Sequence, residues 1–259
     1  MIVVYAGVTS TFTPDDMTFL QPGEYLNENV LDFFISKRAR DCVDILTLEV
    51  CSTSFYEQLI KPKPLARASN VPEHVNDALQ RVNYLDTQHL HPRFFSSSFV
   101  FIPVNVDGEH WVLAVVYLRN RSAVGRYGTI IIFNSRQTTA SDAQHAQIAE
   151  HLRDFMNCHW CLKHQFGVLN PSRVYTTETC PLTVANIGNQ SNNADCGLYV
   201  IKAAEAVMNH ATEISERCLL SNEDLEWLEG YFEDKVVLQE GRCRGDLRKE
   251  LREMSALTE

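Results

Sequence analysis

The chain has 259 residues, 45% hydrophobic and 22% charged, enough for one large or two small globular domains with a sizeable core. Its 33 acidic and 23 basic residues leave a net charge of -10, which argues against a nucleic-acid backbone as the main partner and suits a partner with a basic face or tail. No apolar run reaches the length of a membrane span, the stretch from Met1 to Gly7 has no basic region and is too short for a signal peptide, and the eight cysteines follow no framework spacing, so the thiols read as free ones of an intracellular protein.

The first residues read as a strand or extended lead-in. Gln21-Pro22-Gly23 is a turn, and Asn27 then serves as N-cap of a helix running to about Arg40, with Val30, Leu31, Phe34 and Ile35 on one face. Lys61-Pro62-Lys63-Pro64 reads as a loop, because each proline holds its predecessor out of the helical region. Pro72 to Leu85 has helical spacing through Val75, Leu79 and Val82. Three strands follow, Ser98 to Val106, Trp111 to Leu118 and Thr129 to Phe133, the last two joined across a turn-like segment and so adjacent. Ser141 is placed as N-cap of a helix carrying Ile148, Leu152 and Phe155. Pro181 to Ile187 reads as a further strand and Gly197 to His210 as a helix. Two amphipathic tail helices lie around Leu225-Leu228-Phe232 and Leu247-Leu251-Met254. With no repeat or linker, this order predicts one α+β domain, residues 1–259, built on a central sheet.

Chemistry concentrates in the stretch from Gln190 to Val200. Cys196 falls at the junction of a polar loop and an apolar, alanine-rich run. In the first turn of a helix, free N–H groups and the helix dipole favour a thiolate. Gln190 brings an amide donor a short loop upstream, so acyl transfer is the chemistry to test for, and a base is required. His110 is the candidate, because it begins a strand after a glycine turn and is held rigidly there. His210 ends the helix that starts at Cys196, roughly 20 Å away at 1.5 Å per residue, and is excluded. His145, His151, His159 and His164 read as solvated helix residues. Asn134 ends the apolar run before it. On spacing alone it starts a turn; beside the His110 strand it can instead orient the imidazole, as in Cys-His-Asn proteases. Cys158-His159-Trp160-Cys161 with His164 lacks a second ligand pair, so no metal and no cofactor is expected.

Four segments together resemble the ubiquitin-like-modifier-specific cysteine proteases, the group of SUMO proteases and deneddylases related to the adenovirus protease. They are Tyr25-Leu26-Asn27-Glu28, His110-Trp111, Asn134-Ser135, and Gln190 through Cys196-Gly197, in the family's order and spanning roughly Leu20 to Val207. The resemblance implies an adenain-like α+β fold, a central mixed sheet flanked by helices. It implies Cys196 as nucleophile, His110 as base and then acid, Asn134 as its orienter, and Gln190 with the Cys196 N–H as oxyanion hole. Trp111 and Tyr25, with Glu28 nearby, would wall a tunnel admitting only a Gly-Gly tail. The implied partner is a ubiquitin-like modifier and its conjugates, SUMO before a Nedd-type modifier or ubiquitin. The enzyme would be a monomer, in nucleus or cytoplasm, with no nucleic acid or membrane partner. Three positions depart from the commonest pattern: Asn134 replaces Asp, Tyr25 replaces Trp, and Glu28 replaces Asp. None removes a catalytic group, but a neutral Asn134 stabilises an imidazolium less. An effector-type acetyltransferase using acetyl-CoA, or a modifier-binding protein, is the alternative from another class.

Overall fold

The computed structural model describes residues 2–5, 8–11, 13–42, 47–61, 71–83, 93–118, 125–138, 140–164, 173–220, 226–236, 238 and 240–256. A central sheet forms because three long runs of β-branched and aromatic residues pair side by side. Strand β1 (Ile2–Tyr5) pairs antiparallel with β2 (Val8–Thr11) as a separate ribbon. The main sheet has the order β3-β4-β5-β6-β7, with β3 spanning Leu48–Val50, β4 Phe99–Val106, β5 His110–Leu118, β6 Gly128–Phe133 and β7 Leu182–Ala185. The outer pairs are parallel and the inner two antiparallel, so the sheet is mixed.

Every residue of β5 is buried, because helices cover both faces. One core layer takes Phe99, Trp111, Leu113, Val115 and Phe133, under α1 (Glu28–Asp41) and α5 (Cys196–Asn209). The opposite layer takes Val100, Val112, Ala114, Ile130 and Ile132, under α2 (Ser54–Leu59), α3 (Glu73–Arg81) and α4 (Ser141–His164). Among the described residues the remaining α-helices are α6 (Ala211–Leu220), α7 (Trp227–Tyr231) and α8 (Glu240–Ala256). The expected α+β architecture with a mixed sheet is therefore the observed one.

Most expected elements sit where the sequence puts them. The Asn27 side chain accepts from the Val30 N–H at 3.0 Å, capping α1. Helix α3 ends at Arg81, short of Leu85, and Val82 leaves it in an extended conformation. Ser141 is the first residue of α4 and not its N-cap; its Oγ accepts from the Thr138 N–H at 3.0 Å. Residues 62–64 of the proline loop, Leu85 and Leu225 lie outside the described residues. Among the described residues no helix is long and apolar enough to cross a membrane.

Candidate active site

The hairpin between β4 and β5 sets His110. Val106 pairs with His110 across a turn of residues 107–109, and Asp107 and Gly108 both have positive φ, 55° and 76°. Asp-Gly is the pair that tolerates this conformation, so the turn fixes where β5 begins. The next residue, Trp111, pairs with Asn105 and lies in the core layer with Leu26 and Cys196. Its indole N–H donates to the Leu26 carbonyl at 3.1 Å.

Asn134 follows directly on β6, whose Phe133 pairs with Leu113. Its Oδ1 accepts from His110 Nε2 at 2.8 Å and from the Arg136 backbone N–H at 2.9 Å. A backbone N–H can only donate, so it settles which end of the amide is oxygen. His110 Nε2 therefore carries the hydrogen, and His110 Nδ1 keeps its lone pair. Nδ1 is buried and has no hydrogen-bond partner among the described residues. The Asn134 side chain thus bonds both the Arg136 N–H, within its own bend, and the His110 imidazole.

Cys196 is the first residue of α5 and is buried. Burial pushes its thiol above the ordinary 9.0, against the backbone N–H groups of Trp111 and Gly197 and the positive Arg136, which pull it down. Burial likewise holds His110 below its ordinary 6.5; the Asn134 bond opposes this and Arg136 adds to it. The helix start thus acts on Cys196 as expected, but burial outweighs it. Both shifts run toward the uncharged forms of the two groups.

Gln190 is held by the residue after Asn134. Its backbone N–H donates to the Ser135 carbonyl at 2.7 Å, and Ser135 Oγ donates to Gln190 Oε1 at 2.7 Å. This turns the amide nitrogen away from Ser135, where it donates to the Asn192 carbonyl. Asn192 braces the rest of the loop, accepting from the Ala194 and Asp195 N–H groups and donating to the Asp195 carboxylate at 2.8 Å.

Tyr25 and Glu28 line a cleft beside Leu26, which meets Trp111 and the start of α5. A Cβ on Gly197 would come within 2.9 Å of the Leu26 Cβ, so only glycine lets Leu26 lie on the start of α5. With Trp111 holding the Leu26 carbonyl, a cleft of about 630 Å³ opens between Tyr25, Glu28, Asn105, Glu109 and Trp111. Tyr25 is 49% exposed on its wall. Residues 24–27 precede α1, so of this motif only Glu28 is helical.

Three further contributors escaped the sequence reading. Arg244 of α8 is 2% exposed and pairs with Asp195, while also donating to the carbonyls of Phe19, Gln21 and Glu24. It ties the segment before Tyr25 to the loop before Cys196. Ser135 orients Gln190. His145 corrects an expectation: it and His159 are buried and His151 is half-buried, not solvated. Positions 145, 148, 152, 155 and 159 share one stripe of α4, which packs on the sheet. His145 Nε2 lies 2.9 Å from Asn134 Nδ2. Among the described residues no group of His, Cys, Asp or Glu converges as a metal site, and burial raises the Cys158 thiol.

The Ulp1 protease family, in its C-terminal catalytic domain, matches residues 24–235. The chain belongs to that family. Sentrin-specific protease 8 of Rattus norvegicus is 28% identical over 217 residues, covering 79% of this chain and 79% of that protein. Sentrin-specific protease 7 of Homo sapiens is 21% identical over 253 residues, 75% of this chain; the chain spans only 23% of that protein's length. Among solved structures, that of a de-sumoylating protease shares the fold with a TM-score of 0.62 at 19% identity, over 99% of this chain and 93% of the other. The Ulp1 family is one of cysteine proteases, and Cys196, His110, Asn134 and Gln190 all fall within the matched residues.

Proposed function

We propose that this chain is a cysteine protease that cuts after the C-terminal Gly-Gly of a ubiquitin-like modifier, SUMO first, either from a conjugated lysine or from a precursor extension. The observation that carries the reading is the Asn134 amide. Locked by the Arg136 N–H, it holds His110 with its hydrogen on Nε2 and a free lone pair on buried Nδ1.

The chemistry follows from those positions. The modifier's tail lies along the cleft between Tyr25, Glu28 and Trp111. His110 Nδ1 takes the Cys196 thiol proton as the sulfur attacks the glycine carbonyl. Burial disfavours the charged form of both groups, so in this reading the thiolate forms as the sulfur attacks. The tetrahedral oxyanion is held by the Cys196 N–H and the Gln190 amide, which gives up its bond to the Asn192 carbonyl. The His110 imidazolium returns its proton to the leaving amine, leaving a thioester. His110 then deprotonates a water that attacks the thioester, and the second tetrahedral intermediate expels Cys196 as thiol and the modifier as carboxylic acid.

SUMO stands first because the curated relatives carry the name sentrin-specific and a solved structure sharing the fold is that of a de-sumoylating protease. The test is hydrolysis of C-terminal fluorogenic SUMO, Nedd-type modifier and ubiquitin by the whole chain. SUMO turnover at least tenfold above the other two supports the choice. Preference for another modifier moves the substrate and keeps the chemistry. Turnover of none, with acetyl transfer from acetyl-CoA instead, overturns the proposal.

A further inference from the structure

We propose that His145 is a positioning residue for this reaction: through its bond to the Asn134 amide nitrogen it keeps His110 in the tautomer that can act as base. Asn134 is 2% exposed, and both ends of its amide must find partners inside the protein. The oxygen end has two donors, His110 Nε2 and the Arg136 N–H. The nitrogen end faces His145 Nε2 at 2.9 Å. An amide nitrogen only donates, so His145 Nε2 accepts, and His145 is neutral with its hydrogen on Nδ1. That Nδ1 has no partner among the described residues. The unmatched donor is tolerated at the far end of the chain of bonds, not at Asn134.

The alternative arrangement defines the role. Without an acceptor at position 145 the buried NH2 loses its partner while the Arg136 N–H still fixes which end of the amide is oxygen, so the side chain shifts to satisfy its nitrogen and loosens its hold on His110. A His110 ring that loses the Asn134 oxygen is free to carry its hydrogen on Nδ1. A hydrogen on Nδ1 abolishes the lone pair that takes the thiol proton. His145 touches neither the sulfur nor the substrate and acts only through Asn134. A carboxylate at position 134 has no NH2 to satisfy, so it has no need of His145 for this purpose.

This rests on His110 being the base, and the experiment separates the two. His145→Leu, His145→Gln and Asn134→Asp are made in the whole chain, alone and combined, with folding checked by thermal melting. In the parent background His145→Leu is expected to lower kcat about tenfold, with KM little changed. His145→Gln, whose carbonyl can still accept, recovers most of it. In the Asn134→Asp background His145→Leu costs less than about threefold. Nitrogen-15 shifts of the His110 ring, read without any substrate, show hydrogen on Nε2 in the parent and a mixture in His145→Leu. An equal loss in both backgrounds, or an unchanged His110 ring, overturns the proposal by reducing His145 to packing. If His145→Leu does not fold, His145→Gln against His145→Asn decides, Asn being too short to reach the amide. A parent chain that cuts no modifier overturns the base assignment, while the ring shifts still judge His145.

Discussion

In the proposed mechanism Asn134 sets the charge as well as the geometry around His110. Being neutral, it helps His110 carry a proton only through its hydrogen bond, and burial outweighs that help and holds the imidazole below 6.5. His110 works as a base only when unprotonated, so the acid limb of kcat/KM against pH should lie below 6.5 in the parent. Asn134→Asp places a carboxylate beside the ring, raises its pKa and should move that limb upward by about a unit. An unmoved limb would show that His110 does not govern it. Gln190→Ala removes one oxyanion donor and should lower kcat by about 10²–10³-fold with KM little altered, in steady-state kinetics on a modifier substrate. At this scale the sequence singles out candidate residues by type: a thiol at a helix start and a histidine opening a strand are visible in one dimension. His145 was not, since its partner, Asn134, arrives from β6 and a polar residue on a helix reads as solvated until the packing is known. Ser135 was quoted only as a neighbour for the same reason; its hold on Gln190 spans 55 residues of chain.

At the level of elements, the site depends on how closely α5 meets the segment before α1. Gly197→Ala puts a methyl against the Leu26 Cβ, a part of that side chain with no freedom to swing aside. Leu26 must move, taking with it the carbonyl that Trp111 binds and the wall that Tyr25 forms. The expected outcome is a several-fold or greater rise in KM and a melting temperature lowered by a few degrees, matching an overpacking cost of about 1–3 kcal/mol. Wild-type KM in this variant would contradict the packing argument. The long strands and α5 were readable because continuous apolar runs leave few other choices. Strand β3, at three residues, is too short to show a period, and it exists because β4 offers a parallel edge. Helices α2 and α6 were likewise unread; α2 has only six residues, and its buried Phe55, Tyr56 and Leu59 are defined by the sheet beneath.

Across the whole molecule, the last helix reaches back to the first motif. Arg244 joins Asp195, beside Cys196, to the carbonyls at 19, 21 and 24. Arg244→Met keeps the stem but strands a buried carboxylate, and should destabilise the fold by about 3–5 kcal/mol in denaturant titration. Activity should fall with it, although Arg244 lies 49 positions from Asp195 in sequence. A second consequence concerns acid. Burial holds His110, His145 and His151 below 6.5, so the unfolded chain takes up protons first as pH falls. The stability this contributes is complete above 6.5 and declines below it toward the folded values. Glu250, held to about 2 by Arg38 and Lys37 against burial, adds a loss that begins only below its ordinary 4.5. Urea midpoints from about pH 7.5 to about pH 5 should therefore fall before any carboxylate titrates.

The central claim, that Cys196 attacks a modifier's terminal glycine, is tested most directly by trapping. SUMO carrying a C-terminal propargyl or vinyl sulfone group is mixed with the whole chain, and the modified cysteine is located by mass spectrometry. The account predicts a single adduct on Cys196 that disappears in Cys196→Ala and forms far more slowly in His110→Ala. An adduct on any of the other seven cysteines, or none with SUMO, Nedd-type or ubiquitin probes, would contradict it.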